Sequence, residues 1–167
     1  MYSICLIISG LAFFLNGFLP LIEENDNKEI VIMNVLAGIL TTVFSVYGIF
    51  IAVDNITLLQ YTLLLLVGLT NLYIAAVCIW DLSEQSLGWF CGMLALVALA
   101  IGIYLVLTGA IVLGISWLVV MFIWLAYFLS RALDVLQNAS SWVIMLIGVI
   151  AFVVIGFLNL LRILVII

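Results

Sequence analysis

The sequence predicts an all-α integral membrane protein, with six transmembrane helices forming one domain over residues 1–167. Three observations carry this. Hydrophobic residues make up 70% of the chain and charged residues 7%, with a mean hydropathy of +1.60. A soluble domain carries roughly 25% charge and could not keep such a surface in water. Second, the uncharged runs 1–22, 30–53, 55–80 and 135–161 are each 22 to 27 residues long, where one span needs about 20. Third, the run 85–130 holds 46 residues without a charge, too long for one span and right for two.

The elements follow in order. Helix one is expected over 2–20, where Pro20 can end it. The acidic loop after it (Glu23, Glu24, Asp26, Glu29) reads as a solvated turn. Helix two is expected over 30–53 and helix three over 56–80, and the polar segment Asp81-Leu-Ser-Glu-Gln-Ser86 leads into helix four at 87–107. The break in the long run falls at Thr108-Gly109, which puts helix five at 110–130. Helix six opens near Ser141. The chain reads as three helical hairpins whose second helices each carry a polar or aromatic residue and then a glycine: Asn34 and Gly38, Trp89 and Gly92, Trp142 and Gly148. Glycines let helices pack closely in lipid.

Composition also excludes functions. Eight acidic residues stand against three basic ones, so the chain offers nucleic acid no electrostatic footprint. There is no histidine, hence no histidine-ligated haem, zinc site or histidine relay. Cys5, Cys78 and Cys91 have no metal-ligand spacing and read as small apolar residues. No cofactor is expected, and no enzyme, because neither a nucleophile pair nor a metal set is visible. Asp, Glu, Lys and Arg are missing from the middle of every span, which counts against a proton- or ion-coupled carrier. The first span has no basic leader and no cleavage signal, so it reads as a retained helix. Lys28 and Arg131 fall in odd-numbered loops and Arg162 on the other side, which places the odd loops in the cytoplasm and both termini outside.

The candidates for function are therefore neutral. Polar and aromatic residues recur at helical spacing: Ser9, Phe13 and Asn16 in helix one; Gln60, Leu64, Val67 and Asn71 in helix three; Trp117, Val120, Trp124, Tyr127 and Arg131 in helix five. At 1.5 Å per residue, Asn16, Asn71 and Trp124 reach nearly the same depth, just beyond the midplane. Such stripes also pack helices, and a buried Asn also serves as interhelical glue. If the stripes face a common space, flat aromatic walls and fixed amides suit a small, planar, neutral solute. An ion would meet no countercharge to offset its desolvation.

At these residues the chain resembles the AmiS/UreI family of bacterial amide transporters and urea channels. The similarity rests on Leu15-Asn-Gly17, Val31-Ile-Met-Asn34 with Gly38, Thr70-Asn-Leu-Tyr-Ile-Ala-Ala76, Leu87-Gly-Trp-Phe-Cys91, Ser116-Trp117 and Ile123-Trp124-Leu125, in the family's order. The resemblance implies a passive channel for urea or short aliphatic amides in the bacterial cell membrane. It also implies three hairpins around one pore per protomer and a homo-hexamer surrounded by membrane lipid. Asn16, Trp117, Ile123 and Trp124 fall where family members line the pore. With the stripe residues, this gives a candidate lining of Phe13, Asn16, Val67, Asn71, Trp117, Val120, Ile123 and Trp124. The chain departs from the family at Asn71 (commonly Tyr), at Val120 (commonly Trp) and at Ala151-Phe152-Val153, where the usual Trp and Pro are missing. Ile147 stands where acid-gated urea channels place a Glu. A non-transporting membrane scaffold and, behind it, a coupled carrier are the alternative readings. The loops expected outside are a few residues long, with Asp54 their only carboxylate, which argues for a pore that acid does not gate.

Overall fold

The computed structural model describes residues 2–22, 27–154, 156, 157 and 161. Glu23, Glu24 and Asp26 of the acidic loop, and Arg162, lie outside the described residues. Six helices follow one another: α1 (Tyr2–Leu21), α2 (Asn27–Ile51), α3 (Asn55–Trp80), α4 (Glu84–Leu107), α5 (Ile111–Tyr127) and α6 (Gln137–Ile147). A π-helical turn extends α5 through Phe128–Ala132, and another extends α6 through Gly148–Val154. With those extensions all six are long and apolar enough to cross a bilayer, and no strand occurs among the described residues. Lipid offers no partner for backbone polar groups, so helices that satisfy their own are the form this composition must take.

The helix ends show how sequence sets the boundaries. Asp54 caps α3, its carboxylate accepting from the Thr57 backbone N–H at 2.8 Å and the Thr57 hydroxyl at 2.7 Å. Thr108 ends α4, and Gly109 at φ +92° makes the reversal into α5; a side chain there would be strained. Two helices begin before their uncharged runs, α2 at Asn27 and α4 at Glu84, and α6 begins at Gln137, ahead of the expected Ser141. Apolarity marks the part of a helix inside hydrocarbon, while backbone hydrogen bonding continues into the polar interface.

Neighbours in sequence are neighbours in space, and α6 returns to pack on α1. The closest pairs are α2 with α3, α4 with α5, and α1 with α6 together with its π-helical turn. The expected hairpins α1–α2, α3–α4 and α5–α6 are also in contact, but less extensively. Glycine sets the close pairs. A Cβ at Gly17 would lie 2.5 Å from the Ser141 carbonyl, and one at Gly10 would lie 2.6 Å from that of Gly148. Between α4 and α5, a Cβ at Gly114 would meet the Val106 backbone nitrogen at 2.8 Å and the Gly102 carbonyl at 2.9 Å. With no hydrophobic drive between helices in lipid, such close backbone packing supplies much of their cohesion.

Large apolar side chains cover the outside. Trp80, Trp89 and Trp142 are exposed near the end that carries the α1–α2, α3–α4 and α5–α6 loops, and Tyr47, Phe50 and Tyr104 near the other. Two aromatic belts of this kind mark where a membrane's interfaces fall.

Candidate functional site

The eight residues expected to line a pathway are all buried in the bundle. Phe13, Val67, Asn71, Trp117, Ile123 and Trp124 are fully enclosed, with Val120 and Asn16 nearly so. Phe13, Val67, Trp117, Val120, Ile123 and Trp124 belong to one continuous apolar cluster. Within it Phe13 lies edge-on to Phe152, with ring centroids 5.5 Å apart. Trp124 donates its indole N–H to the Thr70 hydroxyl at 2.9 Å, and that hydroxyl donates to the Leu66 carbonyl at 2.8 Å. Trp124 is thus tied to the residue beside Asn71, as the matching depths lead one to expect.

Asn16 has a different partner from the one its depth suggests. Its amide forms a reciprocal pair with Asn34 on α2: Asn16 Nδ2 donates to Asn34 Oδ1 at 3.0 Å and Asn34 Nδ2 to Asn16 Oδ1 at 2.6 Å. Asn34 spends its second N–H on the Ile30 carbonyl at 2.8 Å. A primary amide has two N–H donors and two oxygen lone pairs, so Asn16 keeps one of each for another partner. Asn34 therefore fixes which way Asn16 presents its free half.

Several buried polar atoms have no hydrogen-bond partner among the described residues: both amide atoms of Asn71, the indole N–H of Trp117, Gln60 Nε2, the Tyr127 hydroxyl and, on α2, the Thr42 hydroxyl. The first four residues lie on α3 or α5, which run in the same direction. Asn71 and Tyr127 sit at matching positions late in their helices, and Gln60 and Trp117 at matching positions early in theirs. The two levels are about ten residues apart, or roughly 15 Å along the axis. Between them lie Val67, Val120, Ile123 and the Trp124–Thr70 bond. Unpartnered polar groups in a native interior are rare and call for an explanation. Here those on α3 and α5 border an apolar segment on both sides.

At the loop end the bundle opens. A cavity of about 360 Å³ is walled by Ile74, Val77 and Leu87, with Asp81, Glu84 and Arg131 at its rim. A second, of about 110 Å³, runs toward Gln137, Asn138 and Ser141 of α6. Both reach inward to Asn16 and Tyr127, and both dwarf the ~30 Å³ share of one liquid water. Arg131 pairs with Glu84 across the rim, linking the π-helical end of α5 to the start of α4. Among the described residues no cluster of acidic, cysteine or histidine side chains could hold a metal ion.

Sequence reasoning did not single out Asn34, Thr70, Gln60 or Tyr127 as site residues. Tyr127 and Gln60 stand in the stripes at helical spacing, so the signal was present for both. Thr70 and Asn34 carry their roles through hydrogen bonds between helices, which spacing within one helix does not reveal.

A bundle of six helices long and apolar enough to cross a bilayer, with buried polar groups on either side of an apolar waist, is the build of a multi-pass membrane protein. The family model for the AmiS/UreI family transporters matches residues 1–163, and the chain belongs to that family. It is a family of transporters, not of enzymes. The fold is also that of two solved structures, both of the Helicobacter pylori urea channel. The crystal structure is 22% identical with a TM-score of 0.85, and the cryoEM structure of the closed state is 21% identical with a TM-score of 0.84. Each comparison covers 99% of this chain and 100% of the other. No curated protein matches the chain significantly by sequence.

Proposed function

We propose that the protein is a passive channel for urea or short aliphatic amides in the bacterial cell membrane. The observation that carries this reading is Asn71, a fully buried amide with both polar atoms unpartnered, set against the aromatic and aliphatic waist. A neutral planar solute passing the waist loses its water and needs brief replacements, and an amide supplies a donor and an acceptor together. No charged side chain among the described residues lies at the waist to supply a countercharge to an ion. In this reading Phe13, Val67, Val120, Ile123, Trp117 and Trp124 form the walls, and Asn16 and Asn71 the polar contacts. The family membership and the fold of the Helicobacter pylori urea channel support it. The proposal includes a homo-hexamer with one pore per protomer, as the family resemblance implies. It places both termini outside the cytoplasm, which leaves the vestibule on the cytoplasmic side.

Flux of urea and acetamide into vesicles containing the pure protein tests the reading. Either solute should equilibrate down its gradient at a rate indifferent to proton or sodium gradients. Accumulation above equilibrium under an imposed ion gradient would show a coupled carrier. No movement of either solute would leave a scaffold.

Flux should also be nearly flat between about pH 5 and 8. The chain has no histidine, the side chain whose ordinary pKa lies in that window. Asp54, at the turn before α3, is held below the usual carboxylate range by the Thr57 backbone N–H and then by the Thr57 hydroxyl. A carboxyl with a depressed pKa keeps its charge, and the cap it makes, above its unfolded value near pH ~4, and loses them only as pH falls through the lower folded value. Its state is therefore constant across the window. A steep rise in flux on acidifying the terminal side within that range contradicts an ungated pore.

A further inference from the structure

Among the described residues that line both vestibule cavities, Tyr127 has a buried hydroxyl with no hydrogen bond of acceptable geometry. The residue is 4% exposed, and its hydroxyl stands near the Asn16 amide, the nearest group it could engage. A tyrosine kept in a core for its ring alone could be a phenylalanine, and an unmet hydroxyl there makes the fold less stable. Next to it, the reciprocal bond to Asn34 leaves Asn16 with one N–H and one lone pair to offer. Above both, Ile74, Val77 and Leu87 form an apolar wall, and the Arg131–Glu84 pair sits at the rim.

We propose that this floor is a docking site for the solute before the waist, and that Tyr127 is a solute-binding residue of the channel. The ligand class is a small planar carboxamide or urea. Its carbonyl and in-plane N–H groups match a hydroxyl that both donates and accepts, beside an amide with one donor and one acceptor free. The neighbouring apolar wall takes the methyl of a short aliphatic amide. Asn34 acts here as a positioning residue, since its two N–H bonds hold the Asn16 amide with its free half toward the cavities. Asn71, at the level of Tyr127 on α3, takes the next contact. The inference rests on the channel reading and adds to it a binding step on the loop side of the waist.

The test is Tyr127→Phe in vesicles, with urea and acetamide influx measured beside the thermal unfolding midpoint of the purified protein in detergent. The ring and its packing remain; only the hydroxyl goes. Influx of both solutes should fall about 3- to 15-fold, the rate equivalent of one hydrogen bond lost from the path, while the midpoint stays level or rises. A structural hydroxyl would give the opposite midpoint, so a fall in both quantities overturns the assignment. Wild-type influx retained in Tyr127→Phe overturns it as well and leaves the channel reading standing. If the unaltered protein passes neither solute, the channel reading itself fails, and the docking site with it.

Discussion

Trp124→Ala should produce the largest loss of stability of any single change in the waist, together with a loss of solute discrimination. The indole is fully enclosed and tied to Thr70. Truncating a buried aromatic to alanine costs about 3–5 kcal/mol, because the surrounding helices only partly close over the space. In lipid most of that cost is lost packing. The space vacated lies on the proposed path, so larger amides should gain flux relative to urea. Trp124→Phe separates the two effects. It keeps much of the wall and removes the N–H to Thr70, whose hydroxyl still donates to the Leu66 carbonyl. It should lower stability by only about 1 kcal/mol and leave the size preference nearly intact. Relative fluxes of urea, acetamide and propionamide, with unfolding midpoints in detergent, read both. Unaltered selectivity in folded Trp124→Ala would return the residue to packing alone.

Asn71→Leu should separate stability from transport in the opposite sense. Each unmet polar atom in a core costs about 1–3 kcal/mol, and Asn71 carries two. Leucine fills a similar volume without that penalty, so the variant should unfold at a higher temperature than the parent. The same change removes a buried donor and acceptor from the edge of the waist on the proposed path. Losing roughly 1–2 kcal/mol of replacement bonding at the barrier corresponds to about a 5- to 30-fold slower flux. An amide whose work is to hold helices together would instead weaken the fold when replaced. A lower midpoint, or unchanged flux, removes Asn71 from the pathway.

Asn16 shows how far a sequence reaches. Its depth matched that of Asn71 and Trp124 by residue counting alone, because a helix in a membrane has a fixed rise and nearly fixed ends. That arithmetic could not say that the Asn16 amide is half engaged by Asn34, since the partner lies on another helix and the bond depends on how α1 and α2 are rotated. The same holds for Trp124 and Thr70, which are 54 positions apart in the chain.

Sequence by itself determined the membrane class, the six spans, the reversal at Thr108-Gly109 and the family. It also led to the expectation that neutral groups carry the function, since no charge lies in the middle of a span. Each of these follows from a local quantity: the length of an apolar run, the position of a glycine, a short motif, or the absence of charge. Tertiary structure alone decided that the closest pairs are α2–α3, α4–α5 and α1–α6, that the vestibule opens at the loop end, and which polar atoms remain unpartnered. Helix rotation and the approach of glycine-bearing faces set all three, and periodicity within a single helix does not encode them. Tyr127 sits in a stripe that spacing alone reveals, but only the packed bundle shows that it lines two cavities beside Asn16 with its hydroxyl buried.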